Sequence, residues 1–276
     1  MSARVISIAN QKGGVGKTTT VINLGAALAE LGRKTLLVDL DPQSALSEGF
    51  GINSYELEET IYNALVESHI SSLESVTHYG IRPNLDVVPS NIDLAAAEME
   101  LIAAIGREYI LKESLDPLRE RYNYILIDCA PSLGLLTINA LTASNSVLIP
   151  LQCEYLALRG MRTLIEVIEK VQRKLNPSLK ILGILGTMYN ARTIHAREVI
   201  EEIRSVFGDK VFDVVIRSSI KFAEAPVVHK PILEYARRHP GAVAYRTLAE
   251  VIVNGEKESE YQGPRSRYPF WRKGTS

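Results

Sequence analysis

Ten residues, Gln11-Lys12-Gly13-Gly14-Val15-Gly16-Lys17-Thr18-Thr19-Thr20, constrain the fold of this chain more than any other stretch. They follow an apolar β-type run, Val5-Ile6-Ser7-Ile8-Ala9, and open a helical pattern from Thr18 to about Leu31. Strand, glycine-rich loop and helix, in that order, are the setting of a phosphate-binding loop. Glycines let backbone N–H groups turn inward onto phosphate oxygens. The N-terminus of the following helix adds unpaired donors and the positive end of its dipole. Lys12, Gly13, Gly14, Val15, Gly16, Lys17, Thr18 and Thr19 are the candidate nucleotide-binding residues. Within that set Lys17 is spaced to reach the β- and γ-phosphates, and the Thr18 hydroxyl to ligate Mg2+. The usual loop has glycine where this chain has Gln11, and a second lysine, Lys12, stands beside the glycines. The plainer alternative is a glycine-rich turn carrying a solvated lysine.

A chain of 276 residues with 46% hydrophobic content can bury a sizeable core as one α/β domain. Its net charge of −1 excludes a global attraction to polyanions, so any nucleic-acid surface is a local patch. The two cysteines, Cys129 and Cys153, have neither metal nor redox spacing, which fits a reduced, cytoplasmic protein. The N-terminus enters a core strand almost at once, so no signal peptide is expected, and no apolar run is long enough to span a bilayer.

Further strands are expected at 35–39, 84–89, 124–128, 146–150, 180–188 and 211–216, with 35–39 an apolar run ending in an acidic residue and suited to burial on both faces. Helical patterns fall between them, at about 60–67, 93–105, 108–122, 133–143, 156–175, 194–207 and 242–254, with Gly32 as the C-cap of the first helix. The remainder of 49–84 reads as polar linkers. This alternation predicts a single P-loop domain over residues 1–256, with a mostly parallel, doubly wound sheet flanked by helices. Residues 257–276 read as a flexible tail: it carries Arg265, Arg267, Arg272 and Lys273 among Tyr268, Phe270 and Trp271, and is broken by Pro264 and Pro269.

Parallel sheets place ligands at the C-terminal ends of their strands. Asp128 closes the strand Tyr124-Ile125-Leu126-Ile127 and is the candidate Mg2+ residue, acting through water. Asp39 and Asp41 flank Leu40 at the end of another strand, with Pro42 next. Hydrolysis needs a group that orients water in line with the γ-phosphate, and Asp41, in the loop beyond the strand, is the better placed of the two.

The loop K-G-G-x-G-K-T-T resembles the deviant phosphate-binding loop of the ParA/MinD ATPases. Asp39-Leu40-Asp41-Pro42-Gln43, Ile127-Asp128-Cys129-Ala130-Pro131-Ser132-Leu133-Gly134, Gln152-Cys153-Glu154-Tyr155, Thr187-Met188-Tyr189-Asn190-Ala191-Arg192 and Ala223-Glu224-Ala225-Pro226 extend the resemblance over about residues 2–254. Together they are similar to the Soj-type ParA partition ATPases. That resemblance implies an Mg2+-dependent ATPase in which two ATP-bound subunits sandwich their nucleotides, each Lys12 crossing to the other site. It assigns the catalytic roles to Lys12, Lys17 and Asp41, with Asp41 positioning the attacking water. It further implies a homodimer that binds double-stranded DNA without sequence preference, on the nucleoid, and is released when a ParB-like centromere-binding protein stimulates hydrolysis. Asn190 is the adenine-contact candidate, or else a loop-capping residue. Basic DNA-binding candidates are Arg192, Arg217, Lys221, Lys230, Arg237 and Arg238. Arg192 and Lys221 match basic positions of Soj-like patches; the others rest on charge alone. One loop departs from the family: Ile216-Arg217-Ser218-Ser219-Ile220-Lys221-Phe222 lacks the Pro and Asn of I-P-R-N-V-R-L and replaces its final Arg with Lys221. Since relatives that bind operators carry an N-terminal helix-turn-helix domain, operator binding is not expected.

Three alternatives share the phosphate-binding loop. One is a positioning ATPase for another cargo. A MinD-like membrane switch at the division site would use an amphipathic C-terminal helix, which two prolines disfavour here. A metabolic P-loop enzyme of the reductase kind would need cluster-binding cysteines that Cys129 and Cys153 do not supply.

Overall fold

The computed structural model describes residues 2–67, 70–154, 157–190 and 194–259. Its strands are β1 (Arg4–Ile8), β2 (Thr35–Leu40), β3 (His78–Arg82), β4 (Leu85–Val88), β5 (Tyr124–Cys129), β6 (Ser146–Gln152), β7 (Lys180–Tyr189) and β8 (Val211–Arg217). They form one eight-stranded sheet in the order β3-β4-β2-β5-β1-β6-β7-β8. Every pairing is parallel except that of β3 with β4. The helices in chain order are α1 (Lys17–Glu30), α2 (Ala45–Gly49), α3 (Ile61–Val66), α4 (Leu94–Glu100), α5 (Ile110–Leu115), α6 (Leu135–Ala143), α7 (Ala157–Lys174), α8 (Ile194–Phe207), α9 (Lys221–Val227), α10 (Ile232–Tyr235) and α11 (Pro240–Ser259).

Side chains alternate across a strand, and here both faces are apolar, so the sheet is covered on both sides. Ile6, Ile8, Leu37, Leu126 and Leu148 pack with α1, α2, α10 and α11 on one face. Val5, Val38, Ile125, Ile127, Val147 and Ile149 pack with helices α3 to α8 on the other. In the core strands β1, β2 and β5 the charged side chains are Arg4, at the start of β1, and Asp39 and Asp128, near the C-terminal ends of β2 and β5.

Helix α1 ends as its sequence dictates. Gly32 has φ +73°, and the N–H groups of Gly32 and Arg33 donate to the carbonyls of Ala29 and Leu28. A left-handed residue after the last turn is the usual way to satisfy these end carbonyls. Two expected helices are shorter: 93–105 becomes α4 plus a 3-10 turn at Leu101–Ala103, and 108–122 becomes α5 plus a 3-10 turn at Asp116–Leu118, where Pro117 has no backbone N–H to continue the α-helix. Strand β3 falls in the stretch expected to be linker. It is a half-exposed edge strand that joins β4 through Asn84 at φ +61°. The last helix runs to Ser259, and most of the tail, from residue 260 on, lies outside the described residues.

Gly25 lets α1 sit close against the sheet: a Cβ there would lie 2.5 Å from the buried Leu37 side chain. Alanine normally gains about 1 kcal/mol over glycine inside a helix. In a close-packed core that gain is lost to the clash. Gly25→Ala is therefore expected to give no stabilisation, and Gly25→Val to lower unfolding free energy by about 1–3 kcal/mol, measured by urea denaturation. A stabilised Gly25→Ala variant would contradict the packing described.

Candidate active site

Two neighbouring strands bring their acidic ends together beside a third. Ile8 of β1 and Asp39 of β2 are both in register with Asp128 of β5. The chain leaving β1 passes directly into the glycine-rich loop, so the loop is suspended over two buried carboxylates.

That loop is anchored from both sides. Asn10 Nδ2 donates to the Pro150 carbonyl on β6 at 2.7 Å, and its Oδ1 accepts the Lys12 N–H at 3.0 Å. The Thr187 hydroxyl on β7 donates to the Val15 carbonyl at 2.8 Å. Gly14 and Gly16 take φ of +71° and +88°, left-handed conformations that favour glycine. Gly16 is the N-cap of α1 and has no side chain with which to cap that helix end. An uncapped N-terminus facing a loop of turned-in N–H groups is an anion cradle.

Lys17 is buried at the start of α1, and its Nζ donates to the Lys12 carbonyl at 3.3 Å. Burial lowers its pKa, while Asp128 and Asp41 act in the opposite direction. Asp128 is the more exposed to penalty. Both of its carboxylate oxygens are buried and accept no hydrogen bond among the described residues. The Thr18 hydroxyl lies near enough to favour the ionised form without completing a bond of ordinary geometry. Burial first, then the charge of Asp39, holds the Asp128 pKa well above the carboxylate range. A buried, unpartnered carboxylate is costly unless something cationic completes it. Oxygen donors from Asp128 and Thr18, beside a phosphate cradle, are the hard ligands that Mg2+ prefers.

The two aspartates at the end of β2 and just beyond it separate clearly. Asp39 is fully buried and accepts from the Ser47 hydroxyl at 2.7 Å, the Ser47 N–H at 2.9 Å and the Asp41 N–H at 3.3 Å. Desolvation pushes its pKa up to about 7, against the pull of the Ser47 bonds. It is a structural clamp between β2 and α2. Asp41 is partly exposed and uses one oxygen to accept the Gln43 N–H at 3.0 Å. It alone of the pair faces solvent at the loop.

Lys12 is not free in the single subunit. Its Nζ donates to Gln152 Oε1 at 2.8 Å and to Glu154 Oε2 at 2.9 Å, both at the C-terminal end of β6. Asn10, Ser47, Gln152, Glu154 and Thr187 thus serve the site without having been assigned a role from sequence. Gln152, Glu154 and Thr187 sit in motif stretches that signalled it; Asn10 and Ser47 carried no such signal.

Asn190 is exposed just beyond β7. Of the basic candidates, Arg192 lies outside the described residues. Arg217, Lys230, Arg237 and Arg238 are exposed and make no ion pair among the described residues. The Ser219 hydroxyl and His239 Nε2 are 3.1 Å apart, joining the loop that starts at Arg217 to the turn that holds Arg237 and Arg238. Lys221 differs: it pairs with Glu224 at 2.7 Å and lies over the Tyr235 ring at 5.4 Å.

Residues 3–181 match a family described as an AAA domain. The chain is 49% identical over 253 residues to the sporulation initiation inhibitor protein Soj of Bacillus subtilis, spanning 91% of this chain and 99% of that one. It is 46% identical to the chromosome partitioning protein ParA of Myxococcus xanthus, over 96% of this chain and 92% of the other. Among solved structures, a Mycobacterium smegmatis protein named cobyrinic acid a,c-diamide synthase, with a bound ATP analogue and magnesium, superposes with a TM-score of 0.82. Identity there is 37%, covering 96% of this chain and 100% of that chain.

An acid whose folded pKa lies above its unfolded value destabilises the fold as pH rises. For Asp128 that loss begins near pH 4, the unfolded carboxylate value, and grows toward the higher folded value. Asp128→Asn removes it. Without metal, the melting temperature of the variant is expected to pull ahead of wild type as pH rises above about 5, by about 2–4 °C for each kcal/mol relieved in a domain of this size. Adding Mg2+ with ATP should raise wild type more than the variant. Parallel pH curves would contradict the state assigned to Asp128.

Proposed function

The chain belongs to the ParA/Soj family of P-loop ATPases, and from that membership we propose that it is an ATP-driven partition switch whose nucleotide state controls dimerisation and DNA binding. The observation that carries the proposal is the buried, unpartnered Asp128 beneath an uncapped helix N-terminus, with Lys17 beside it and Asp41 exposed nearby. ATP is the substrate and Mg2+ the cofactor. Gly13, Gly14, Val15, Gly16 and the first turn of α1 bind the phosphates through backbone N–H groups. Lys17 neutralises the β- and γ-phosphates, with Thr18 and Asp128 as the residues that would hold Mg2+, Asp128 through water. The metal, when bound, neutralises phosphate charge that develops during transfer.

Asp41 orients the attacking water. Its partial exposure and single local hydrogen bond leave an oxygen available, whereas Asp39 is fully occupied by Ser47 and the Asp41 N–H. Lys12 reaches the nucleotide of a second subunit, so that binding and association are coupled. Asp41→Ala is expected to retain ATP binding and accumulate an ATP-locked dimer in light scattering, with hydrolysis reduced at least about a hundredfold, in the range of a lost water-positioning group. Lys12→Ala is expected to abolish ATP-dependent dimerisation with a far smaller loss of ATP binding, while Lys17→Ala damages binding itself. Identical behaviour of the two lysine variants would count against action in trans.

DNA binding falls to Arg217, Lys230, Arg237 and Arg238, with Arg192 and Lys221 as further candidates. Uncompensated cations displace phosphate counterions, and a two-fold dimer doubles a weak patch. Lys221 contributes less in this account, because Glu224 already neutralises it. The cargo is a DNA region marked by a ParB-like protein that stimulates hydrolysis, and the protein works on the nucleoid in the cytoplasm. In gel-shift titrations with ATP, Arg237→Ala with Arg238→Ala is expected to weaken binding of unrelated duplexes equally. The salt slope should flatten by about one unit per lost contact. Unchanged affinity in that variant would move the DNA surface elsewhere.

Amide synthesis, the activity after which the M. smegmatis protein is named, finds little support in the thiols. Cys129 and Cys153 are both buried, and burial raises both pKa values, that of Cys153 to about 11. An activated cysteine nucleophile needs the opposite environment.

A further inference from the structure

We propose, resting on the crossing role of Lys12, that Gln152 and Glu154 are positioning residues that hold Lys12 in its own subunit and set the threshold for dimerisation. The backbone of Lys12 is fixed: its N–H donates to Asn10 and its carbonyl accepts from Lys17. Only the side chain is left to move. Its Nζ is held by two acceptors, Gln152 Oε1 at 2.8 Å and Glu154 Oε2 at 2.9 Å. Gln152 Nε2 donates to the other Glu154 oxygen, which turns the amide oxygen and the second carboxylate oxygen toward the lysine. The three polar groups close a ring in which each restrains the other two.

The backbone anchor and the side-chain hold lie on the same structure. Asn10 is bonded to Pro150 of β6, and the lysine is bonded two and four residues further along, where β6 ends. The loop and its lysine therefore rest on one strand end, with no shift of the sheet needed for release. Release itself is a rotation of a four-carbon stem, on the scale of an exposed side-chain rotamer change.

The strength of the hold suits a threshold rather than a block. The Lys12 and Glu154 side chains are 47% and 56% exposed. Ion pairs at that exposure are worth up to about fivefold in an equilibrium constant. A symmetric dimer releases two of them, so the association constant carries the square, up to about 25-fold. The polyphosphate of a bound nucleotide offers the lysine several negative oxygens in place of one carboxylate, and so overcomes a hold of this size. Without nucleotide in the partner, the lysine gains nothing by leaving Glu154, and the subunits stay apart.

Sedimentation of the full chain with saturating Mg2+ and ATP tests the proposal, with Asp41→Ala as the background so that turnover does not deplete the dimer. Glu154→Gln should tighten dimerisation several-fold, up to about 25-fold, with the gain shrinking as salt rises. Glu154→Asp keeps the charge but withdraws it by one methylene, so it should retain most of that gain. If Glu154→Asp instead behaves like the background while Glu154→Gln tightens, the carboxylate acts by repelling the partner's phosphates, and the hold on Lys12 is overturned. An unchanged or weaker dimer in Glu154→Gln overturns it as well. Lys12→Ala in the same background separates the two levels. A Lys12→Ala protein that dimerises normally sinks the crossing role and the hold together. A monomeric Lys12→Ala protein beside a Glu154→Gln protein of unaltered affinity sinks the hold alone.

Discussion

A carboxylate buried without a hydrogen-bond partner is the interaction on which the site depends. Asp128 sits at the end of the central strand β5, in register with Asp39 on one side and with Ile8 on the other. Burial and the neighbouring aspartate both oppose its ionisation. Such a group persists in a fold when a cation completes it, and the surrounding parts are those a metal-bound polyphosphate needs: Lys17, the Thr18 hydroxyl and a helix start with no side-chain cap. The parallel sheet supplies the rest, because its strand order brings β1, β2 and β5 side by side and their loops to one edge.

Around that centre the polar groups divide into those fully used by the fold and those left available. Asp39 is used: three hydrogen bonds tie it to Ser47 and the Asp41 backbone, so it fixes where the loop carrying Asp41 begins. Thr187 and Asn10 are used to hold the glycine-rich loop to β7 and β6. Asp41 keeps an exposed carboxylate, and Lys12 is engaged only by groups near the surface, which a stronger anion can replace. The roles proposed in chemistry and association thus fall to the two residues that the fold holds most lightly.

Much of this was legible from sequence because it is local. The phosphate-binding loop, its strand and its helix are contiguous, and the strand that carries Asp128 has an apolar run, Ile125-Leu126-Ile127, directly before it. Gly32 marked the end of α1, and the parallel, doubly covered sheet followed from alternating apolar strands and helices. Strand β3 was missed because an edge strand buries only part of one face and carries polar residues such as His78 and Arg82. Helices α9 and α10 were missed for a related reason: seven and four residues are too few for a helical period to declare itself. Distance along the chain concealed the remainder. The contacts of Lys12 span 140 and 142 residues, and that of Thr187 with Val15 spans 172. Nothing in local patterning specifies such pairs. Asp39 and Asp41 were ranked by their place relative to the strand end and, firmly, only by the family resemblance; the Ser47 bonds that occupy Asp39 were not legible.

The central claim is that burial and the charge of Asp39 disfavour the Asp128 carboxylate in the free protein, and that bound Mg2+ with nucleotide favours it. Calorimetric titration with preformed Mg2+–ATP, repeated in buffers of different ionisation enthalpy, counts the protons released on binding. Wild type should release more protons on binding than Asp128→Asn. Binding of Mg2+–ATP with no proton release, or with equal release from both proteins, would contradict it.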